Sequence, residues 1–143
     1  MFVSISAGTA RRLSAMVGWE DVRRLALALP ATSEESLHDL LSWRVANKLF
    51  VWERPLRGPD LKALGEAAPA GPLLGARVAD EGEKFAIIDA EPEIFLTTPH
   101  FNGYPAVLAQ LEKLSLERLA EVIEEAWLAR APKRARAAYL ADR

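Results

Sequence analysis

Apolar residues recur at three- and four-residue spacing over Trp19, Val22, Leu25, Ala26 and Leu29, and again over Leu116, Leu119, Ile123, Ala126 and Trp127. That period predicts an amphipathic helix near each end of the chain. Pro30 terminates the first, whose other face carries Glu20, Asp21, Arg23 and Arg24 into water. Ser115 is placed to cap the second and Pro132 to stop it, leaving Ala135 to Leu140 for a final basic turn or short helix.

Between these helices the pattern shortens. The stretch from Ser42 to Glu53 is rich in β-branched and aromatic residues around a corner at Asn47, a residue that tolerates the left-handed conformation of a two-residue turn. It predicts a hairpin with Trp43 and Val45 on one face of its first strand and Phe50 and Trp52 on one face of its second. Leu49 and Val51 make the second strand apolar on both sides, which places it centrally in a sheet. The polar residues 32–35 read as a link, and Pro59 with Asp60 as the start of a short helix through Leu61 and Leu64. Residues 75–79 and 84–88 flank the polar run Asp80-Glu81-Gly82-Glu83 and predict a second hairpin. Residues 94–97 and 106–111 supply two further short strands. Helix, several short strands, helix is the order of an α+β fold: a mostly antiparallel sheet covered on one face by the N- and C-terminal helices.

A chain of 143 residues, half of them apolar, buries a core without disulfides or a structural metal. We expect one domain over 18–143, preceded by a leader of uncertain order over 1–17, in which Met16 is a second candidate start beside Met1. The absence of cysteine excludes thiol catalysis and thiolate zinc sites and suits a cytoplasmic protein. No apolar run reaches the length of a membrane span, so no membrane partner is expected. The formal charge of −2 gives no overall attraction to polyanions. Charge is nonetheless uneven: glutamates crowd residues 112–125, and basic residues gather after Arg130.

The chemistry concentrates in Thr97-Thr98-Pro99-His100-Phe101-Asn102-Gly103-Tyr104-Pro105. Thr97, Thr98, His100 and Tyr104 offer donors and acceptors for a small ligand, and His38 beside Asp39 is a second imidazole. The plainer account is a strand end followed by a turn. Two isolated histidines do not make a metal site, no serine sits in a nucleophile elbow and no glycine-rich phosphate loop is present. No catalytic residue, cofactor or metal is therefore expected. A different surface is basic: Arg44 and Lys48 on the hairpin, near Trp43 and Trp52, with the cluster from Arg130 to Arg136, including Lys133 and Arg134, at the C-terminus. Cations on phosphates and rings on bases would suit nucleic acid, although a tryptophan stripe more often belongs to a core.

Several of these pieces, taken together, resemble the MmcQ/YjbR family: the helix end Leu25 to Pro30, His38 ahead of Trp43-Arg44-Val45, Lys48-Leu49-Phe50, the Thr97 to Pro105 corner, and Ala126-Trp127 followed by Ala131-Pro132-Lys133. The likeness spans Trp19 to Tyr139. It implies a CyaY-like (bacterial frataxin-like) curved antiparallel sheet with both terminal helices on one side, and a DNA-binding description that rests on architecture. Frataxin-type iron binding is not implied, because the first helix has only Glu20 and Asp21 where an acidic ridge would be needed. The leading expectation is a non-enzymatic protein that binds DNA through Arg44, Lys48, Lys133, Arg134 and Arg136. The competing one is a small-molecule or catalytic pocket built by His38, Thr97, Thr98, His100 and Tyr104. Nothing in the sequence fixes an oligomeric state.

Overall fold

A computed structural model describes residues 16–142. The expected leader, and with it the question of Met1 or Met16, falls almost wholly outside them. Helix α1 (Trp19–Leu27) leads into β1 (Thr32–Leu37), β2 (Leu40–Val45) and β3 (Lys48–Glu53), followed by the short α2 (Gly58–Leu64) and β4 (Leu73–Arg77). Helix α3 (Glu81–Ala90), β5 (Phe95–Leu96), β6 (Ala106–Gln110), α4 (Leu116–Arg130) and α5 (Lys133–Ala141) complete the chain. The six strands form one sheet in the order β1-β2-β3-β4-β6-β5, and every neighbouring pair is antiparallel.

Both terminal helices cover the same face of this sheet, as their spacing predicts. Val22 and Ala26 of α1 and Leu119, Ile123, Ala126 and Trp127 of α4 are buried against Trp43, Val45, Phe50, Val51, Leu74, Ala76, Val107 and Ala109. The Ser115 cap matches its sequence signal, and Asp21 adds a cap where only a solvated charge was expected. Ser115 accepts the Arg118 N–H at 3.0 Å, and Asp21 accepts the Gly18 N–H at 3.0 Å. Trp127 donates its indole N–H to the carbonyl of Pro30 at 2.9 Å, tying α4 to the chain just past α1. Helix α5 folds back so that Tyr139 packs 4.9 Å from the Trp127 ring, ring centre to ring centre. Among the described residues, no helix is long and apolar enough to cross a membrane.

Three expectations are corrected. Residues 81–90 are a helix and not the second arm of a hairpin, because Asp80 accepts the Glu83 N–H at 2.8 Å and so acts as an N-cap, with Glu81 and Glu83 in the first turn. Residues 32–35 are part of edge strand β1 and not a link. Glu34 there accepts from Arg23 Nε at 2.8 Å and from the Trp43 indole at 2.8 Å. Finally, Phe50 and Trp52 do not share a face. Trp43 pairs with Val51 but Arg44 pairs with Leu49, so Phe50 is the extra residue of a β-bulge. The bulge sends Phe50 and Val51 together into the helix-side core and turns Leu49 and Trp52 to the other face.

Glu34 also ties stability to pH. The Arg23 hydrogen bond, helped by the Trp43 indole, outweighs partial burial and holds the Glu34 carboxyl below its ordinary pKa. A carboxylate with a lowered folded pKa contributes stability that is complete above its unfolded value, about 4, and lost as pH falls through the folded one. Glu34→Gln is therefore expected to cost about 1 kcal/mol at pH 7, discounted for partial exposure, and progressively less below pH 4. Thermal unfolding of both proteins between pH 7 and pH 2 checks this, since parallel curves would contradict it.

Candidate functional site

Behind the helix-packed face lies a second, smaller core. Leu73, Phe101, Ala106 and Leu108 are buried there, with Trp52, Leu56 and Leu96 packed against them. Trp52 pairs with Gly75 across β3 and β4, and its ring lies directly over that glycine: a Cβ at position 75 would stand 2.4 Å from Trp52 Cε2. Only glycine lets the indole lie this flat on the sheet.

The corner from Thr98 to Pro105 folds over this surface. Thr98 precedes a single 3-10 turn, Pro99–Phe101, whose Phe101 points inward. Two buried cations hold the corner from below. Lys84 of α3 is fully buried and donates to the carbonyls of Phe101 at 2.6 Å and Tyr104 at 2.9 Å, with Glu81 at 3.2 Å. Arg54, 6% exposed, lies 5.2 Å over the Phe101 ring, pairs with buried Asp60 at 3.0 Å and donates to the Pro55 carbonyl. Burial pushes the Asp60 carboxyl up, but the Arg57 backbone N–H and the Arg54 guanidinium prevail and hold its pKa below the usual value. The Thr98 hydroxyl adds a small pull on Asp60 in the same direction, yet it is buried without a hydrogen bond of good geometry.

Between this corner and the β1–β2 hairpin is a cleft of about 670 Å³, lined by Leu37, His38, Leu41, Arg44, Leu49, Trp52, Arg57, His100, Phe101 and Tyr104 among others. Its volume suits a small organic ligand. His38 and Asp39 form the hairpin turn with φ of 52° and 64°, the left-handed pair that a two-residue turn demands and that Ala46 and Asn47 also adopt. His100 approaches from the opposite rim, with its ring 4.8 Å from that of Phe101. The floor is apolar, made by Leu49, Trp52 and Phe101. Nitrogen donors from His38, Arg44, Arg57 and His100 stand around it.

The residues expected from sequence thus divide. His38, His100 and Tyr104 meet in the cleft, and Arg44 of the basic set joins them while bonding Glu35 at 2.9 Å. Thr97 and Thr98 do not line it. Lys48 precedes Leu49 on β3 and by alternation projects from the helix side. Lys133 and Arg134 are exposed on α5, and Arg136 donates to the Leu128 carbonyl at 3.0 Å, capping α4. Trp43 is wholly buried and offers no ring for stacking, whereas Trp52 is half-buried at the cleft floor. Sequence reasoning missed Arg54, Arg57, Arg77 and Lys84, and grouped Arg130 only with the basic C-terminus. For Arg54 and Asp60, a basic residue closing an apolar strand six positions ahead of an acid was the available signal.

No group of three or more metal-ligating side chains occurs among the described residues. The sequence pattern of the YjbR family matches residues 27–129. Two uncharacterised proteins, Rv2570 of Mycobacterium tuberculosis and Mb2600 of Mycobacterium bovis, are each 50% identical over 130 residues, covering 89% of this chain and 98% of theirs. The crystal structure of Deinococcus radiodurans protein DR2400, with a DUF419 domain, superposes with a TM-score of 0.58 over 80% of this chain and 78% of that one. At 19% identity that likeness establishes the fold alone.

Proposed function

The chain belongs to the YjbR family, and we propose that it is a binding protein that takes a small ligand with a flat apolar body and polar substituents into the cleft between the His38 turn and the Thr98 to Pro105 corner. The observation carrying this reading is convergence. Two histidines, two arginines and a tyrosine from four separate segments surround one apolar floor. Such a ring of directional donors around an aromatic base is the usual composition of a small-molecule site.

A thermal-shift screen of metabolites tests it. A ligand at a hundred times its Kd is expected to stabilise the protein by about 2.7 kcal/mol. His100→Ala should weaken that ligand about tenfold, the loss of one good polar contact, while leaving the unliganded melting temperature nearly unchanged, because the ring is exposed. A screen with no response, or a response indifferent to His100, counts against the reading.

DNA binding is the second reading, favoured by one observation. Lys133 and Arg134 stand exposed at the start of α5 without an ion pair among the described residues, and α4, which leads into α5, ends where Arg130 reaches the Leu49 carbonyl beside Lys48. Lys133 and Arg134 do not line the cleft, so the two readings call for different surfaces.

A further inference from the structure

Two half-buried guanidinium groups without a carboxylate partner are anchored on residues that line the cleft, Arg77 on Tyr104 and Arg130 on Leu49. Arg77, the last residue of β4, donates through Nε to the Pro105 carbonyl at 3.1 Å and through Nη1 to the Tyr104 hydroxyl at 3.0 Å, with its plane 4.6 Å over the tyrosine ring. Arg130, the last residue of α4, donates through Nε to the Leu49 carbonyl at 3.3 Å. Leu49 and Arg77 lie on the cleft side of adjacent strands β3 and β4, so both arginines reach the same end of the sheet. Burial, and then the like charge of Arg77, hold the Arg130 pKa below the usual guanidinium value.

Of the other half-buried arginines, Arg23, Arg44 and Arg118 each sit on a glutamate and Arg136 donates to the Leu128 carbonyl. Arg77 and Arg130 have no acidic partner among the described residues. Their remaining N–H groups, Nη2 of Arg77 and both Nη of Arg130, are unused there and open to solvent. The Tyr104 oxygen accepts from Arg77, which frees its own proton to donate outward. Two cations and a neutral donor held on neighbouring residues of the cleft wall suit a dianion with several acceptor oxygens better than a carboxylate.

We propose that Arg77, Arg130 and the Tyr104 hydroxyl form a phosphate subsite at the end of the cleft, so that the ligand carries a phosphate group with its body lying toward Trp52. Tyr104 and Leu49 border both the subsite and the cleft and join them into one site. The assignment of the ligand class rests on the cleft being the binding site; the subsite itself does not.

Calorimetric titration with phenol, phenyl phosphate and inorganic phosphate separates the two claims. Phenyl phosphate should bind at least about tenfold more tightly than phenol, an advantage that Arg130→Gln removes and added salt reduces. His100→Ala should weaken both aromatic probes and leave inorganic phosphate unaffected. Equal binding of phenol and phenyl phosphate, or an advantage that survives Arg130→Gln, overturns the subsite while leaving the cleft reading standing. Inorganic phosphate binding that is lost in Arg130→Gln, with phenol silent, upholds the subsite and rejects the cleft reading. No response to either phosphate overturns the subsite. A circular-dichroism spectrum and a cooperative thermal transition of Arg130→Gln like those of the unsubstituted protein guard against misfolding as the cause. A single-stranded oligonucleotide that displaces phenyl phosphate through the same two arginines would identify the phosphate as a nucleic-acid one; failure to compete assigns it to a small phosphate ester.

Discussion

Asp60→Ala is expected to destabilise the protein by about 3–5 kcal/mol, the usual cost of leaving one member of a buried ion pair without its partner. Arg54 would keep its charge 6% exposed, held only by the Pro55 carbonyl and the face of Phe101. The Arg57 N–H would also lose the acceptor that starts α2. Much of the penalty is the stranded charge, so adding Arg54→Met to Asp60→Ala should recover a large part of it. Urea unfolding of the two single variants and the double variant measures this, and simple additivity of the losses would show that the pair is not coupled. The consequence reaches the site, because Arg54 lies against Phe101, the residue that seats the Thr98 to Pro105 corner on the sheet.

Lys84→Met is expected to cost about 2–5 kcal/mol, since two carbonyls beneath the corner would lose a charged donor while the methionine fills the volume. The Phe101 and Tyr104 carbonyls accept from Lys84 Nζ across 17 and 20 residues of sequence, so the lysine is the direct tie between α3 and the corner. Amide exchange should report it. Protection of residues 101–106 should fall well beyond the global loss of stability, and ligand affinity should drop with it even though Lys84 does not line the cleft. Uniform loss of protection across the sheet would mean that Lys84 supports only the fold.

These two cations also show where sequence reasoning stopped. The terminal helices, the β2–β3 hairpin and β6 were legible because their apolar residues repeat at the period of the element and face one core. Helix α3 inverts that logic. It buries Lys84 completely, leaves Phe85 50% exposed and packs Ile87 and Ile88 only partly buried against the core, so its packed face is not marked by apolar residues alone, and Asp80-Glu81-Gly82-Glu83 serves as helix start where a turn was expected. Strand β1 carries almost no apolar signal because it is an edge, fixed by pairing with β2 and by Glu34. The bulge at Phe50 follows from strand pairing, which alternation alone does not contain.

The site was visible in part for the same reason. His100 and Tyr104 stood out as unusual residues in a turn-rich segment, and their neighbours Thr97 and Thr98 stood out with them. Only the tertiary fold separates the pair that reaches the cleft from the pair that does not. Arg77 carried no signal, since it closes an ordinary strand, and Arg130 was visible only as the first residue of the basic C-terminus; that α4 ends on the Leu49 carbonyl is a fact of the tertiary fold.

The account depends on recognition taking place on the sheet face opposite the two terminal helices. Chemical-shift mapping during titration of the isotopically labelled protein with phenyl phosphate tests that most directly. The resonances of His38, Arg44, Leu49, Trp52 and His100 to Tyr104 should move together and saturate with one affinity, with those of Lys133 to Arg136 unaffected. Shifts confined to α5, or spread over the surface without saturation, would contradict it.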